Sequence, residues 1–459
     1  MDEKALYPYQ IEGANFLAGK KVALLADDMG LGKTVQAITA ADLIGAKRIL
    51  ILCPAVVRSN WVAELEEFGK LARETQIITA RKDVWSKTAT IICSYDLAGM
   101  APDDLRFDLL VLDEAHYLKE RKTERTKAVY SKRGLVHKAD RVWALTGTPA
   151  PNNVSELWPM MFTFGLTKQS FNDFVQTFCK TTRTGYGLKI LGSIRNNIPQ
   201  IRAMLAPILL RRRKDQVLKE LPPITYEDVL VEPGPVDFGT TNDFAKYVGP
   251  GYKIEELENQ ISNERALLKT VLDVQFGSLN ETAMQTLGAI APSVSTLRKY
   301  TGLQKLDPVA KMITSELTNK QYQKIVVFAV HRDVVEGLRQ RLTAFRAVSL
   351  YGGTAPGKRD HNIRKFMTDP KCRVFIGNIQ SAGTGITLTS AHQVLFLESS
   401  WVPGDNAQAA MRCHRIGQEM PVTVRFVGLK NSLDQRISKI LKQKTRDLTE
   451  IFDPTLLRI

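Results

Sequence analysis

Val22-Ala23-Leu24-Leu25-Ala26-Asp27-Asp28-Met29-Gly30-Leu31-Gly32-Lys33-Thr34 sets the fold of this chain. Val22 to Leu25 form a short apolar run of the kind that makes a buried strand, and apolar residues recur at helical spacing from Val35 to Ile44. Between them lies a glycine-containing turn, with Lys33 and Thr34 opening the helix. Strand, turn and helix N-terminus together make a phosphate cradle. Backbone N–H groups converge on an anion, the lysine reaches the terminal phosphates, and the threonine hydroxyl can sit on Mg²⁺. The general pattern asks for glycine five residues before Gly32, where this chain has Asp27. The stretch Asp27, Asp28, Met29, Gly30, Leu31, Gly32, Lys33 and Thr34 is therefore expected to bind a nucleotide with Mg²⁺.

Working outward, Leu6-Tyr7-Pro8-Tyr9-Gln10 leads into a short helix just before the strand. An amide both donates and accepts, so Gln10 is a candidate reader of the adenine edge. Downstream, short apolar runs at Ile49–Leu52, Thr90–Cys93, Leu109–Leu112 and Val142–Leu145 alternate with helical segments. That rhythm is α/β with a parallel sheet, whose chemistry gathers at the carboxyl ends of the strands. Polar residues stand there: Ser94-Tyr95, Asp113-Glu114-Ala115-His116 and Thr146-Gly147-Thr148-Pro149. Two acids directly after an all-apolar strand, Asp113 and Glu114, suit phosphoryl transfer, one acid holding Mg²⁺ opposite the Thr34 hydroxyl and the next polarising the attacking water.

The 459 residues point to two or three domains, and a formal charge of +15 favours an anionic partner, nucleic acid first. Five scattered cysteines lack the paired spacing of a zinc site and read as reduced thiols. No apolar run reaches the length that crosses a bilayer, so a soluble, intracellular protein without membrane partners is expected.

Ser155 to about Glu220 reads as mainly helical, and the run Arg211-Arg212-Arg213-Lys214 sits inside an expected helix. That run has a structural and phosphate-contacting reading, and a second one as a nuclear address. Breakers crowd Glu232 to Gly251, and a helical stripe from Ile254 to Leu272 follows. The expected domains are a first lobe at 1–225 with its helical insertion at about 155–222, a linker and helical insertion at 226–299, and a second lobe at 300–459. In that second lobe, strands are expected at Lys324–Phe328, Arg373–Gly377 and Gln393–Leu397, a helix at Arg332–Leu342, and a C-terminal helix with Leu433, Ile437, Ile440 and Leu441 on one face. It has no second Lys-Thr cradle, so it can only complete a site. Arg412 and Arg415, three residues apart and expected on one helical face, are candidates to stabilise charge on the γ-phosphate.

Asp-Asp-Met-Gly-Leu-Gly-Lys-Thr, Asp-Glu-Ala-His, Leu-Thr-Gly-Thr-Pro, Leu-Arg-Arg-Arg-Lys and His-Arg-Ile-Gly-Gln occur in this order. The set resembles the Swi/Snf-type branch of superfamily-two helicase-like ATPases, over about 6–220 and 300–430. The resemblance implies two RecA-like lobes and ATP-driven translocation on duplex or branched DNA, with a strand-separating helicase or a nucleotide-gated DNA scaffold as alternatives. By position it implies phosphate and Mg²⁺ binding at Lys33 and Thr34, Mg²⁺ at Asp113, the catalytic water at Glu114, adenine at Gln10, nucleotide contact at Gly385, and arginine fingers at Arg412 and Arg415. It further implies DNA-backbone contacts at Cys53, Pro54, Ser94, Tyr95, Gly352, Gly353, Ser381, Gly383 and Thr384. Departures from the family pattern are Ala382 for glycine, Thr387 for asparagine and Met411 for aspartate. Thr387 and the Asp27-Asp28 pair look more like the annealing-helicase branch. A monomer targeted by a protein partner or by DNA shape is expected, in the nucleoid or cytoplasm of a prokaryote or virus, or in a eukaryotic nucleus.

Overall fold

The computed structural model describes residues 6–87, 90–150, 153–184, 187–234, 298–382, 386–400, 403–430, 434–435 and 438. The chain divides into two compact units, Met1–Thr182 with Ile190–Glu220, and Arg183–Lys189 with Leu221–Ile459. Each is built on a wholly parallel sheet flanked by helices and is a RecA-like lobe.

In the first unit, helix α1 (Pro8–Ala18) precedes β1 (Val22–Leu25), and α2 (Lys33–Leu43) follows it. Then come β2 (Ile49–Cys53), α3 (Arg58–Phe68), β3 (Thr75–Ile77), β4 (Thr90–Ser94), β5 (Phe107–Asp113) and β6 (Ala139–Leu145). A two-stranded ribbon, β7 (Cys179–Thr184) with β8 (Gly187–Ser193), comes before the two-residue strand β9 (Leu209–Leu210). The sheet order is β3-β4-β2-β5-β6-β1-β9, every pair parallel.

A sheet covered on both faces needs strands that are apolar throughout, and alternate residues here feed two separate cores. Leu24, Leu50, Leu52, Leu110 and Ala144 pack on one face. Ala23, Leu25, Ile51, Val111 and Trp143 pack on the other.

The second unit's sheet uses β10 (Ile224–Val231), β11 (Ile325–Ala329), β12 (Val348–Leu350), β13 (Val374–Asn378), β14 (Gln393–Phe396) and β15 (Val422–Leu429), in the order β10-β15-β14-β11-β13-β12. Phe328, Phe396 and Phe426 stack across three adjacent strands, with ring centroids 5.4 and 4.8 Å apart.

Several expectations are corrected. The stretch Ser155–Glu220 is not mainly helical, because the β-branched run around Thr181 and Thr182 takes the ribbon conformation instead. Of the basic run only Lys214 lies in a helix, the short Lys214–Val217, and the three arginines precede it. Leu209 and Leu210 pair with Leu24 and Leu25, and the Asp28 N–H donates to the Arg212 carbonyl at 3.0 Å, so residues 209–212 run as extended chain beside the cradle. Arg412 and Arg415 do not share a helical face, since the helix Pro403–Ala410 ends before them and the Arg412 carbonyl is taken by the Leu388 N–H at 2.9 Å. Strand β10 pairs with β15 over its whole length, so the expected first-lobe limit at 225 falls inside a strand of the second sheet. Residues 235–297, with most of the expected linker and its helical stripe, lie outside the described residues, as do Leu433, Ile437, Ile440 and Leu441.

Candidate nucleotide site

The site stands at the carboxyl ends of three adjacent strands, β5, β6 and β1. After β1 the chain makes the cradle, with Gly30 at φ 87° and Gly32 at φ 71°. A Cβ on Gly32 would also lie 2.4 Å from the Gln10 amide nitrogen. The left-handed backbone at Gly32 favours glycine, and a Cβ there would displace the end of the Gln10 side chain. Gly32 is the N-cap of α2 and carries no side-chain cap, so the first N–H groups of the helix are left for an anion. Lys33 Nζ donates to the carbonyls of Asp27 at 2.8 Å and Asp28 at 3.3 Å, folded over the turn that it closes. Leu31 is buried, Thr34 follows on α2 half-buried, and a Cβ on Gly147 would meet the Met29 side chain at 2.8 Å. The Thr146–Pro149 turn thus lies directly against the cradle.

Asp113 ends β5. Its two oxygens accept from the Trp61 indole N–H at 2.8 Å and the Glu114 N–H at 3.0 Å, and its carbonyl accepts from the Tyr95 hydroxyl at 2.7 Å. Burial, then the neighbouring charge of Glu114, pushes the Asp113 carboxyl up to about 7, against the opposing pull of Trp61 and Lys33. Glu114 sits at φ 52°, ψ 51°, a left-handed conformation that costs a non-glycine residue on the order of 1–3 kcal/mol and is held only where the surroundings impose it. Its carboxylate lies 3.2 Å from His116 Nδ1, and His116 Nδ1 lies 3.0 Å from the Thr146 hydroxyl. Acid pair, imidazole and the β6 turn thus form one polar network.

The strongest local contact is one that the sequence did not reveal. Asp27 is fully buried, and its carboxylate accepts from Arg212 Nε at 3.1 Å, Arg212 Nη2 at 2.6 Å and Gln36 Nε2 at 3.1 Å. Both oxygens are engaged by protein groups, so Asp27 supports the turn through its side chain instead of reaching into it. Burial disfavours the Arg212 cation, but hydrogen bonds and charge from Asp27 and Glu12 outweigh that and hold its proton more tightly than usual. Gln10 accepts from the Tyr7 N–H at 3.0 Å and donates to the Leu31 carbonyl at 3.4 Å, which places it beside the cradle.

The expected DNA contacts separate into two groups. Cys53, Ser94 and Tyr95 are buried at 0%, 5% and 3% exposure, and Pro54 is buried too, so their side chains are turned inward. Apolar strand ends continue straight into the interior here, and Tyr95 spends its hydroxyl on Asp113. In the second unit Gly352 and Gly353 are exposed, and a Cβ on Gly352 would meet Ser381 Oγ at 3.5 Å, which brings these two stretches together. Gly383, Thr384 and Gly385 lie outside the described residues. Arg415 Nη1 donates to the Thr387 hydroxyl at 2.9 Å and the Ile386 carbonyl at 3.3 Å.

The SNF2-related domain model matches residues 9–237, and the helicase conserved C-terminal domain model matches residues 304–417. The chain belongs to the SNF2-related, helicase-like family. It carries the ATP-hydrolysing core of that family and is an enzyme of this class. It is 30% identical to a SWI/SNF-related matrix-associated actin-dependent regulator of chromatin subfamily A-like protein 1 homolog of Caenorhabditis elegans, over 97% of this chain and 62% of that protein. It is also 28% identical to the DNA annealing helicase and endonuclease ZRANB3 of Homo sapiens, over 96% of this chain and 40% of that protein. The annealing-helicase resemblance expected from Thr387 and the Asp27-Asp28 pair is supported by these relatives. The chain spans about two fifths of the length of the ZRANB3 proteins. Among solved structures, the Sulfolobus solfataricus SWI2/SNF2 ATPase core in complex with dsDNA aligns over 98% of this chain and 93% of that one, at 25% identity and a TM-score of 0.44. Among the described residues no helix is long and apolar enough to cross a membrane.

Trp61, Gln36, the Arg212–Asp27 pairing and the His116–Thr146 contact were missed in the sequence. Trp61 did carry a signal, being the one large aromatic in an otherwise polar opening of α3, eight residues after a strand end. Arg212 belonged to a basic run read as structural or phosphate-contacting, but nothing signalled its pairing with Asp27, 185 residues away.

Proposed function

We propose that the chain is an ATP-driven motor that translocates on double-stranded or branched DNA and remodels DNA or protein–DNA complexes. The observation that carries this reading is the convergence of cradle, acid pair and Thr146 turn on three adjacent strand ends, in a chain whose formal charge is +15. Lys33 and the opening N–H groups of α2 bind the phosphates, Gln10 reads adenine, and Glu114 orients and polarises the attacking water. Arg412 and Arg415 stabilise the charge that develops on the γ-phosphate.

Thr34 and Asp113 would hold Mg²⁺. The donors fit a hard cation, and Asp113, whose ionisation is opposed by burial and by Glu114, gains from a positive neighbour. Among the described residues no group of three or more His, Cys, Asp or Glu is arranged for a metal, so water and phosphate oxygens would complete the shell, as Mg²⁺ prefers. When bound, Mg²⁺ neutralises phosphate charge during transfer.

The DNA assignment is supported by the net charge, by the exposed Gly352-Gly353 turn beside Ser381, and by the names of relatives, among them a DNA annealing helicase and the TATA-binding protein-associated factor mot1 of Schizosaccharomyces pombe. A protein partner or the shape of the DNA directs the motor to its site, and it works in the compartment that holds the genome.

ATP turnover measured at low salt with no nucleic acid, then with single-stranded, duplex and forked DNA and with RNA, tests the proposal. Duplex or forked DNA should stimulate turnover most, and absence of stimulation would overturn it. Separation of a tailed duplex would point to a strand-separating helicase instead. Tight nucleotide-dependent DNA binding without turnover would point to a scaffold.

A further inference from the structure

Arg212 joins three segments at once. One edge of its guanidinium grips the cradle, through Nε and Nη2 on the two Asp27 oxygens at 3.1 and 2.6 Å. Nη2 also donates to Gln36 Oε1 of α2 at 2.8 Å. The other edge grips α1, where Nη1 donates to the Tyr9 carbonyl and to Glu12 Oε2, the latter at 3.1 Å. The Tyr9 ring lies 5.4 Å from the guanidinium carbon, within cation–π range. We propose that Arg212 is the positioning residue that seats the base-reading helix α1 on the phosphate cradle, and that discrimination in favour of adenine depends on it. This rests on the reading of the cradle as an ATP site.

Three observations carry it. Gln10 is the neighbour of Tyr9, so the carbonyl that Arg212 holds fixes the backbone from which the base-reading amide projects. Gln10's own bond to the cradle, 3.4 Å to the Leu31 carbonyl, is long for a hydrogen bond, and the apolar packing of α1, through Ala14 and Leu17, lies farther along the helix than the amide. Finally, α1 approaches the guanidinium at Gly13, where a Cβ would come within 2.6 Å of Arg212 Nη2 and 1.8 Å of Gln36 Oε1. A side chain at this position would displace the Arg212 and Gln36 groups that meet there.

The chemistry follows from geometry. Adenine presents an N6 donor where guanine presents the O6 acceptor. An amide separates the two only while it is held in register, and a misplacement of about 1 Å can cost a factor of ~10². Lysine would keep the charge at position 212 but could not span both edges, since its ammonium is a single point donor.

Steady-state turnover and fluorescent-nucleotide binding with ATP and GTP test this on the whole chain, comparing wild type with Arg212→Lys, Glu12→Gln and Gly13→Ala. In each variant KM for ATP should rise about fivefold and the ATP-over-GTP preference fall about tenfold, with kcat at saturation changing less than either. Glu12 is 68% exposed, so Glu12→Gln keeps the test open should Arg212→Lys fail to fold. A merely structural role would lower thermal stability and leave the ATP-over-GTP ratio unchanged. Full rescue of the ratio by lysine, or an unchanged ratio in folded Glu12→Gln and Gly13→Ala, would overturn the proposal. A wild-type chain that binds no ATP, with Lys33→Ala no weaker, would overturn the site reading together with it. A wild type that binds ATP and GTP alike would overturn the adenine assignment alone.

Discussion

Trp61 donates its indole N–H to the Asp113 carboxylate at 2.8 Å across the gap between α3 and the end of β5. A buried carboxylate needs such a donor, and Asp113 takes a second from its neighbour's backbone. The Tyr95 hydroxyl holds the same residue by its carbonyl. The Ser94-Tyr95 segment, expected to touch DNA, therefore also reaches the acid pair from inside the lobe.

Trp61→Phe keeps the aromatic packing and removes the donor. A hydrogen bond to a charged group is worth about 1.5–3 kcal/mol, so stability should fall by an amount in that range once Asp113 is ionised. The packing loss from a smaller ring is the same at every pH, whereas the hydrogen-bond loss grows as the carboxyl titrates. Denaturant unfolding at pH 5 and pH 8 should therefore show the larger deficit at pH 8. Equal deficits would mean that the ring matters and the bond does not.

Glu114→Gln should cut turnover by about 10²–10⁴ and leave ATP binding in place, the signature of a lost general base. The same change bears on stability. The Asp113 carboxyl is raised from its unfolded value near 3.9 to about 7, so ionising it opposes folding. That penalty is absent below pH ~4 and complete above ~7. Removing the Glu114 charge takes away its second cause, so the nucleotide-free variant should gain on the order of 1 kcal/mol at pH 8 and nothing at pH 4. Normal turnover in the variant would sink the general-base assignment.

In the second unit, Glu398 accepts from the Val330 and His331 N–H groups, both at 2.8 Å, and lies 2.6 Å from His331 Nδ1. Burial alone would raise this carboxyl, but His331 and Arg298 outweigh it and hold the group below the usual carboxylate range. A depressed carboxyl contributes stability above its unfolded value of about 4.3 and loses it as pH falls through the folded value. Glu398→Gln should therefore cost about 2–3 kcal/mol at pH 7 and much less in acid. Calorimetry of the whole chain at pH 7 and pH 3 would decide it, and a deficit independent of pH would refute the charge argument.

Legibility followed sequence distance. Runs such as Ile49–Cys53 and Ile325–Ala329 announce buried parallel strands by themselves, and the chemistry at their ends is local too. Asp113 and Glu114 could be named because they follow an apolar run directly, and Lys33 because it opens a helix after a strand and a glycine turn. Ile224–Val231 was harder, since an edge strand carrying Thr225, Glu227 and Asp228 lacks the apolar signature of a covered one. Leu209–Leu210 is too short to register, and the arginines after it looked helical because nothing nearby reveals that Asp28 takes the Arg212 carbonyl. Asp27 was misjudged for the same reason. A carboxylate in a phosphate turn looks like a ligand until its distant arginine is seen.

Arg415 leads to the last expectation. Its guanidinium is oriented by the Thr387 hydroxyl at 2.9 Å and the Ile386 carbonyl at 3.3 Å, so the position where the family pattern has asparagine here supplies a hydroxyl acceptor. Arginine fingers are worth about 10³–10⁵ in rate, and an Arg415→Ala chain should lose most of its DNA-stimulated kcat while ATP affinity changes by a modest factor. Thr387→Val removes the nearer acceptor and leaves the carbonyl, so it should lower kcat by a smaller factor, about tenfold, again with little change in nucleotide binding. Asparagine at 387 restores an acceptor and should recover part of the loss. Equal kcat in Thr387→Val and wild type would show that the carbonyl alone aims the arginine. Loss of nucleotide affinity on a par with the loss of rate would instead place Arg415 in ground-state binding, because a group that acts on the transition state alone leaves affinity largely untouched.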